Sequence, residues 1–327
     1  MAQTKVAVVM PVFNDAAACG LLLRRLDEVL APRFTSVSVV VVDDGSIAPP
    51  PVTGVLRGPY VCLDAAVLRL RRNLGHQRAI CVGLAHVHEA LSPDVTVIMD
   101  SDGEDAPEDV PRLLDEAAAT GNAIVFARRS KRSESLLFRA GYVMFRLLHR
   151  IATGYGIAFG NFSAVPRERL ASLLSVGDLW NNYAASVLVS RQPWCAIPTT
   201  RARRLSGRPQ MKLLPLVAHG LSAISVFGET VSVRFTIAGV LAALVTCGLL
   251  LLNASGLVTL STPALALVAV TALASVQVAG FSLLFAFITL SRRSAAVFQP
   301  ARDYRQFVDQ VVHADGTPAP ARPLQTA

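Results

Sequence analysis

Two long stretches of this sequence lack charge. Phe235 to Leu252 contains no Asp, Glu, Lys or Arg, and neither does Ala264 to Leu290. Each is long enough to cross a hydrocarbon core as a helix, which takes roughly 20 residues. Two such stretches in series exceed what a soluble core contains. Of the 327 residues 52% are hydrophobic and the mean hydropathy is +0.46, which excludes the composition of an ordinary soluble enzyme. The link between the stretches, Asn253 to Pro263, is also uncharged, whereas Arg234 precedes the first and Arg292 and Arg293 follow the second. Positive charge at both outer ends and none at the tip predicts a hairpin with both chain ends in the cytoplasm.

Cysteine is scarce. Cys19, Cys62, Cys81, Cys195 and Cys247 are odd in number, stand in apolar contexts and have no metal-like spacing. That excludes a disulfide framework or a thiolate zinc site and points to a reduced compartment. Nothing in this sequence resembles a cleavable leader, and Met1 to Pro11 reads as a polar start followed by a short strand. No aromatic-basic patch or nucleic-acid motif appears, so the net charge of +8 is read as contact with lipid headgroups or phosphates, not nucleic acid. No internal repeat is present.

What is there is an alternation of strand-like and helix-like segments up to about Leu205. Val6–Met10, Val37–Val42, Val67–Leu70, Val95–Met99 and Ala123–Ala127 are apolar, β-prone runs. Between them, Ala16–Leu30, Gln77–Ala90 and Pro107–Ala119 have helical spacing, the last with a Pro near its start where helices tolerate it. Pro49-Pro50-Pro51 marks a loop. The alternation predicts an α/β fold with a mostly parallel, doubly wound sheet. Polar clusters recur just after the strands, on the edge where such sheets bind ligands. Further on, Leu213, Val217, Leu221, Ile224 and Phe227 recur at helical spacing within Lys212–Val231. That suits an amphipathic helix, lying on a membrane surface or packed on the soluble domain. Asp315 to Ala327 has the composition of a disordered tail.

The most informative motif is Asp100-Ser101-Asp102. An isolated Asp-x-Asp is common as a solvated acidic turn. Here it follows the apolar run Val95–Met99, and at that spacing both carboxylates can face one hard cation that itself holds a diphosphate. Three further clusters accompany it in order: Pro11-Val12-Phe13-Asn14-Asp15, Val42-Asp43-Asp44-Gly45-Ser46, and Asn73-Leu74-Gly75 with Ala79 and Gly83 following.

In this order and spacing the four motifs resemble the family-two inverting glycosyltransferases of GT-A fold, over Val6 to about Leu290. More narrowly, the chain resembles the membrane-anchored polyprenyl-phosphate glycosyltransferases, the group containing dolichyl-phosphate mannose synthase. The resemblance implies that Pro11, Asn14, Asp15, Asp43, Asp44, Asn73, Gly75 and Asp100 line the nucleotide. It implies that Asp100 and Asp102 bind Mg²⁺ or Mn²⁺, with Glu104, where relatives carry Gln, as a third ligand. Arg128, Lys131 and Arg139 then act on phosphate with Asp102 as the catalytic set, and Arg201 and Arg204 form a second basic group. His76 reads as a surface histidine. Two departures stand out. Asn161 replaces an acidic residue that often serves as base, which favours an acceptor that is already anionic, and Pro209-Gln210 replaces Ser-Lys in a loop that closes the site.

The expected organisation is a cytoplasmic GT-A domain over residues 1–205, a juxtamembrane amphipathic segment over 206–233, a transmembrane hairpin over 234–291, and a cytoplasmic, partly disordered tail over 292–327. The expected activity is metal-dependent inverting transfer from a nucleotide-sugar donor to a membrane lipid, foremost polyprenyl phosphate, at the inner membrane. Transfer to a glycolipid or diacylglycerol hydroxyl is the alternative. A degenerate nucleotide-binding scaffold serving a flippase-type partner is a third reading, and self-association is compatible with all three.

Overall fold

The structure, a computed structural model, describes residues 4–47, 51–56, 58–129, 136–156, 159–207, 213–293, 298–313 and 318–320. Pro49-Pro50, Lys131, Pro209-Gln210, Lys212 and most of Asp315–Ala327 lie outside these residues. The elements in chain order are β1 (Val6–Val12), α1 (Ala16–Leu30), β2 (Val37–Asp43), β3 (Leu63–Leu70), α2 (His76–His86), β4 (Val95–Ile98), α3 (Val110–Ala119), β5 (Ile124–Arg129), α4 (Leu136–Thr153), β6 (Ser163–Pro166), α5 (Arg167–Leu174), α6 (Tyr183–Val189), β7 (Trp194–Thr199), α7 (Leu213–Ser225), α8 (Gly228–Ala254), α9 (Thr262–Arg293), β8 (Val308–His313) and β9 (Pro318–Pro320). They fall into two compact units, one of Met1–Arg139, Ile157–Val226 and Phe298–Ala327, the other of Ala140–Gly156 and Phe227–Val297.

The first unit is built on one sheet of order β7-β5-β6-β4-β1-β2-β3-β8-β9. β1 pairs in parallel with β2 and with β4, and β2 in parallel with β3. Among the described strands, only β6 and β8 run against the rest. The expected mostly parallel sheet is therefore present. Every residue of β1 is buried, because helices cover both faces and a strand so placed must be apolar throughout. α1 covers one face with Leu22, Leu23, Leu26 and Leu30, all fully buried. Each contributes about 1.5–3 kcal/mol relative to an exposed side chain.

Topology fixes where a ligand can sit. The chain steps outward from β1 to β2 and β3, then returns to the far side of β1 as β4. The loops after β1 and β4 leave neighbouring strands side by side at this reversal, since α1 and α3 share one face of the sheet, and they meet at the C-terminal ends of the strands, the edge where such sheets take their ligands.

The second unit contains α8, α9 and the greater part of α4. α8 begins at Gly228, so Val231 and Arg234 lie within it. Gly228–Ala254 and Thr262–Ser291 are long and apolar enough to cross a membrane, and only 11% of each apolar window is buried within the protein. Such exposure does not suit the core helices of a soluble fold. α8 passes close to α9 at Gly239, where a Cβ would lie 2.8 Å from the Ala279 backbone nitrogen. On α4, Val143, Met144, Leu147, Leu148 and Ile151 are all exposed, and their spacing places them on one face of the helix.

Candidate functional site

The acidic motif sits at the reversal point. β4 hands over to Met99, whose N–H donates to the Val9 carbonyl of β1 at 3.2 Å. The following turn is closed from within. Buried Asp105 accepts the Asp100 N–H at 3.0 Å, and Asp102 Oδ1 accepts the Glu104 N–H at 2.9 Å. Gly103 takes φ +83°, and the Leu205 side chain occupies the space a Cβ would need. Only glycine meets both demands.

On the neighbouring loop, Asp15 follows β1. A single guanidinium joins the two loops: Arg204 Nη1 donates to Asp102 Oδ2 at 2.9 Å, and Arg204 Nη2 donates to Asp15 Oδ2. The segment carrying Arg204 is fastened to the acidic turn by its backbone, through Ala202 N–H to the Glu104 carbonyl and Leu205 N–H to the Asp102 carbonyl, both at 3.0 Å. Arg201 in the same segment pairs with Glu104. Burial pushes the Asp102 carboxyl up, the charges of Asp100 and Glu104 add to this, and the Glu104 N–H and Arg204 oppose it. Burial likewise raises Asp15, against the pull of Arg204. Crowded, half-desolvated carboxylates of this kind attract a cation.

The loops after β2 and β3 frame the other side. Asn14, at φ 51°, donates its N–H to Ser46 Oγ and accepts the Ile47 N–H on Oδ1, both at 2.9 Å. Asp43 Oδ1 accepts the Ser46 N–H at 2.9 Å. Asp44 turns its carboxylate to the Leu74 and Gly75 N–H groups. Both acids are buried, and these bonds are spent on shaping the loops. Pro11 lies in β1 beside Val42. Asn73 leads into Gly75, which starts α2 at φ 93°, a conformation open to glycine.

His76 is exposed, as the sequence reads it, and it stands beside the acidic motif. Its Nε2 lies 3.2 Å from Asp100 Oδ1 and 3.1 Å from Asn161 Nδ2. The polarity of this chain is set by a backbone donor. Tyr183 N–H donates to Gln77 Oε1 at 2.8 Å, so Gln77 Nε2 donates to Asn161 Oδ1 at 3.2 Å, and the Asn161 NH₂ faces His76. The signal that could have found His76 was its position directly after Gly75, on the ligand edge of the sheet.

The basic residues divide. Arg128 is exposed at the end of β5, next to Pro198 of β7. Arg139 lies in the first turn of α4, its side chain outside the described structure. Among the described residues no group of three or more His, Cys, Asp or Glu is arranged to hold a metal. The donor set at Asp100 and Asp102 nevertheless suits Mg²⁺ or Mn²⁺, because such ions are held by one or two carboxylates together with substrate phosphates.

Comparison with known proteins bears on the family and the fold. Residues 7–169 match the family model described as Glycosyl transferase family 2. The chain is similar to the undecaprenyl-phosphate 4-deoxy-4-formamido-L-arabinose transferase of Erwinia tasmaniensis, 28% identical over 65% of each chain. It is similar to the protein of the same description from Klebsiella pneumoniae, 32% identical over 50% of this chain and 48% of that one. The matches thus span about half to two thirds of those relatives. Among solved structures, glucosyl-3-phosphoglycerate synthase from Mycobacterium tuberculosis, in complex with Mn²⁺, uridine-diphosphate-glucose and phosphoglyceric acid, has a TM-score of 0.50 at 19% identity, covering 70% of this chain and 80% of that one. That likeness is one of fold, of the GT-A type expected from the motifs. Through residues 7–169, this chain belongs to glycosyl transferase family 2.

Proposed function

We propose that this protein transfers a sugar from a nucleotide-sugar donor to a polyprenyl phosphate at a membrane, with inversion at the anomeric carbon. The observation that carries the reading is that Asp15 and Asp100–Asp102 meet at the β1/β4 reversal, where a sheet of this kind takes its ligand. The relatives, undecaprenyl-phosphate 4-deoxy-4-formamido-L-arabinose transferases by name, support the acceptor class. α8 and α9 support a membrane setting, and the flanking arginines support placing the first unit in the cytoplasm. Neither comparison lends support to a flippase-type partner or to self-association.

In this reading Pro11, Asn14 and Asp15 lie against the base and ribose. Asp43 and Asp44 act by holding the Ser46 and Leu74–Gly75 loops that approach the nucleotide. Asn73 and Gly75 offer backbone groups. Asp100 and Asp102 would hold a divalent ion, Mg²⁺ or Mn²⁺, and Glu104 would join them by leaving Arg201. When bound, the ion supplies positive charge that offsets the charge developing on the departing diphosphate. Arg128, Lys131 and Arg139 steer the lipid phosphate towards the sugar. A phosphate oxygen forms the new bond to the anomeric carbon as the bond to the diphosphate breaks, releasing nucleoside diphosphate. That oxygen is already anionic at neutral pH and needs no base. Asn161, tied to Gln77 and facing His76, cannot serve as one. Positioning and charge stabilisation then account for the acceleration.

The test is a panel of nucleotide sugars crossed with polyprenyl phosphates on the purified protein. Nucleoside diphosphate release that depends on the lipid phosphate, with a product cleaved by mild acid, is the expected result. An acid-resistant product indicates a hydroxyl acceptor, and no release with any pair refutes transferase activity for the donors tried.

A further inference from the structure

We propose that Arg204 is a tethered counter-cation that excludes a free divalent ion from the donor site until a nucleotide arrives. The inference rests on the reading of Asp102 as a cation ligand. Both oxygens of Asp102 are engaged: Oδ1 accepts the Glu104 N–H at 2.9 Å, and Oδ2 accepts Arg204 Nη1 at 2.9 Å. The first bond closes the acidic turn itself, so only Arg204 can yield. A divalent ion at coordination distance from Oδ2, about 2.0–2.1 Å for Mg²⁺, and a guanidinium on the same oxygen place two cations side by side. One displaces the other.

The surroundings hold the guanidinium in place. Its second arm is taken by Asp15 from the neighbouring loop, and its Nε donates to the Ser206 carbonyl at 2.8 Å. All three carboxyl-bearing and guanidinium side chains are largely buried, at 16–19% exposure. The backbone of the segment is fastened on both sides of Arg204, by Ala202 to the Glu104 carbonyl and by Leu205 to the Asp102 carbonyl. The Leu205 side chain fills the space beside Gly103. A planar fork can serve two carboxylates at once, whereas an ammonium is a point charge.

The consequence is conditional metal loading. Without nucleotide, metal must compete with Arg204 for Asp102. With a nucleotide present, its diphosphate brings further negative charge to the site and offers the ion oxygens that Arg204 does not occupy. Metal and nucleotide therefore enter together.

The experiment is an equilibrium titration of the detergent-solubilised full chain with Mn²⁺ alone, following free Mn²⁺ by electron paramagnetic resonance. Arg204→Gln and Arg204→Ala should each bind Mn²⁺ at least tenfold more tightly than the unaltered protein. Arg204→Lys, which keeps the charge but loses the fork, should fall between. Asp102→Asn added to Arg204→Gln should abolish the gain, which assigns the ion to this site. Unchanged, weaker or absent Mn²⁺ binding by both Gln and Ala variants overturns the proposal while leaving the transferase reading intact. Mn²⁺ binding that survives Asp102→Asn overturns the cation-ligand reading and the proposal with it.

Discussion

Asp44 holds Gly75 by its backbone. The Asp44 Oδ2 accepts the Gly75 N–H at 2.9 Å, and Oδ1 accepts the adjacent Leu74 N–H at 2.7 Å. The loop after β2 thereby fixes the loop after β3, and α2 starts from a set position. Asp44→Ala leaves two N–H donors without that partner, at about 1–3 kcal/mol for each that stays buried and unsatisfied. Asp44→Asn keeps one acceptor oxygen and should lose less. Urea denaturation of the three proteins checks the order. A loss within about 0.5 kcal/mol for Asp44→Ala, the range of an ordinary surface change, would remove the structural role.

Gly103→Ala should be destabilising for two separable reasons. The positive φ is strained for any Cβ, and the new methyl would collide with Leu205. A cost of about 1–3 kcal/mol is expected. Combining it with Leu205→Ala should relieve the collision and leave the strain, so the double variant should be less destabilised than the sum of the singles. Additive losses in a thermal or urea cycle would show that Leu205 does not fill that space in solution.

Asp102→Ala should abolish nucleoside diphosphate release while the protein still folds and extracts from membranes normally. Arg204 keeps its Asp15 partner in that variant, but the Glu104 N–H loses its acceptor, so a stability loss of about 1–3 kcal/mol is expected beside the loss of activity. Near-normal release would remove Asp102 from the reaction.

His86 gives the first unit a pH dependence. Burial pushes its imidazole down to about 4, with His313 adding to the effect. Its ring stands edge-on to Tyr304 at 6.2 Å. In the unfolded chain the same group titrates near its ordinary value of about 6.5. Between those values the unfolded state binds a proton that the folded state refuses, so stability is full above pH 6.5 and falls as pH drops towards 4. Denaturation midpoints at pH 7 and pH 5 should differ, and His86→Gln should lose part of that difference, the rest coming from groups such as His219 that burial also depresses. An equal pH effect in the variant would assign the dependence elsewhere.

Much of the first unit was legible because local chemistry decides it. Continuous apolar runs gave β1, β2 and β4, and helical spacing gave α1 with its observed bounds, Ala16–Leu30. The ligand edge followed from polar residues clustered after strands. What escaped depends on contacts far apart in the chain. Nothing in Arg204 itself says that it reaches back to Asp15, 189 positions earlier. The buried donors that claim Asp44 come from another loop. His76 has no signature beyond its place after Gly75. Val308–His313 is short and lies in a polar tail, and becomes a strand because the edge of β3 is available to it. The apolar face of α4 is likewise legible only once Val143, Met144, Leu147, Leu148 and Ile151 are seen to stand exposed among the described residues.

That last strand has a topological consequence. β8 pairs with β3 in the register Val67 to Val312, so the chain on either side of α8 and α9 is built into one sheet. A sheet cannot be shared between two aqueous compartments. On the proposed membrane setting, the chain that leaves the sheet before α8 must return after α9 to the compartment it left, and a single crossing would require β8 to be torn from its neighbour.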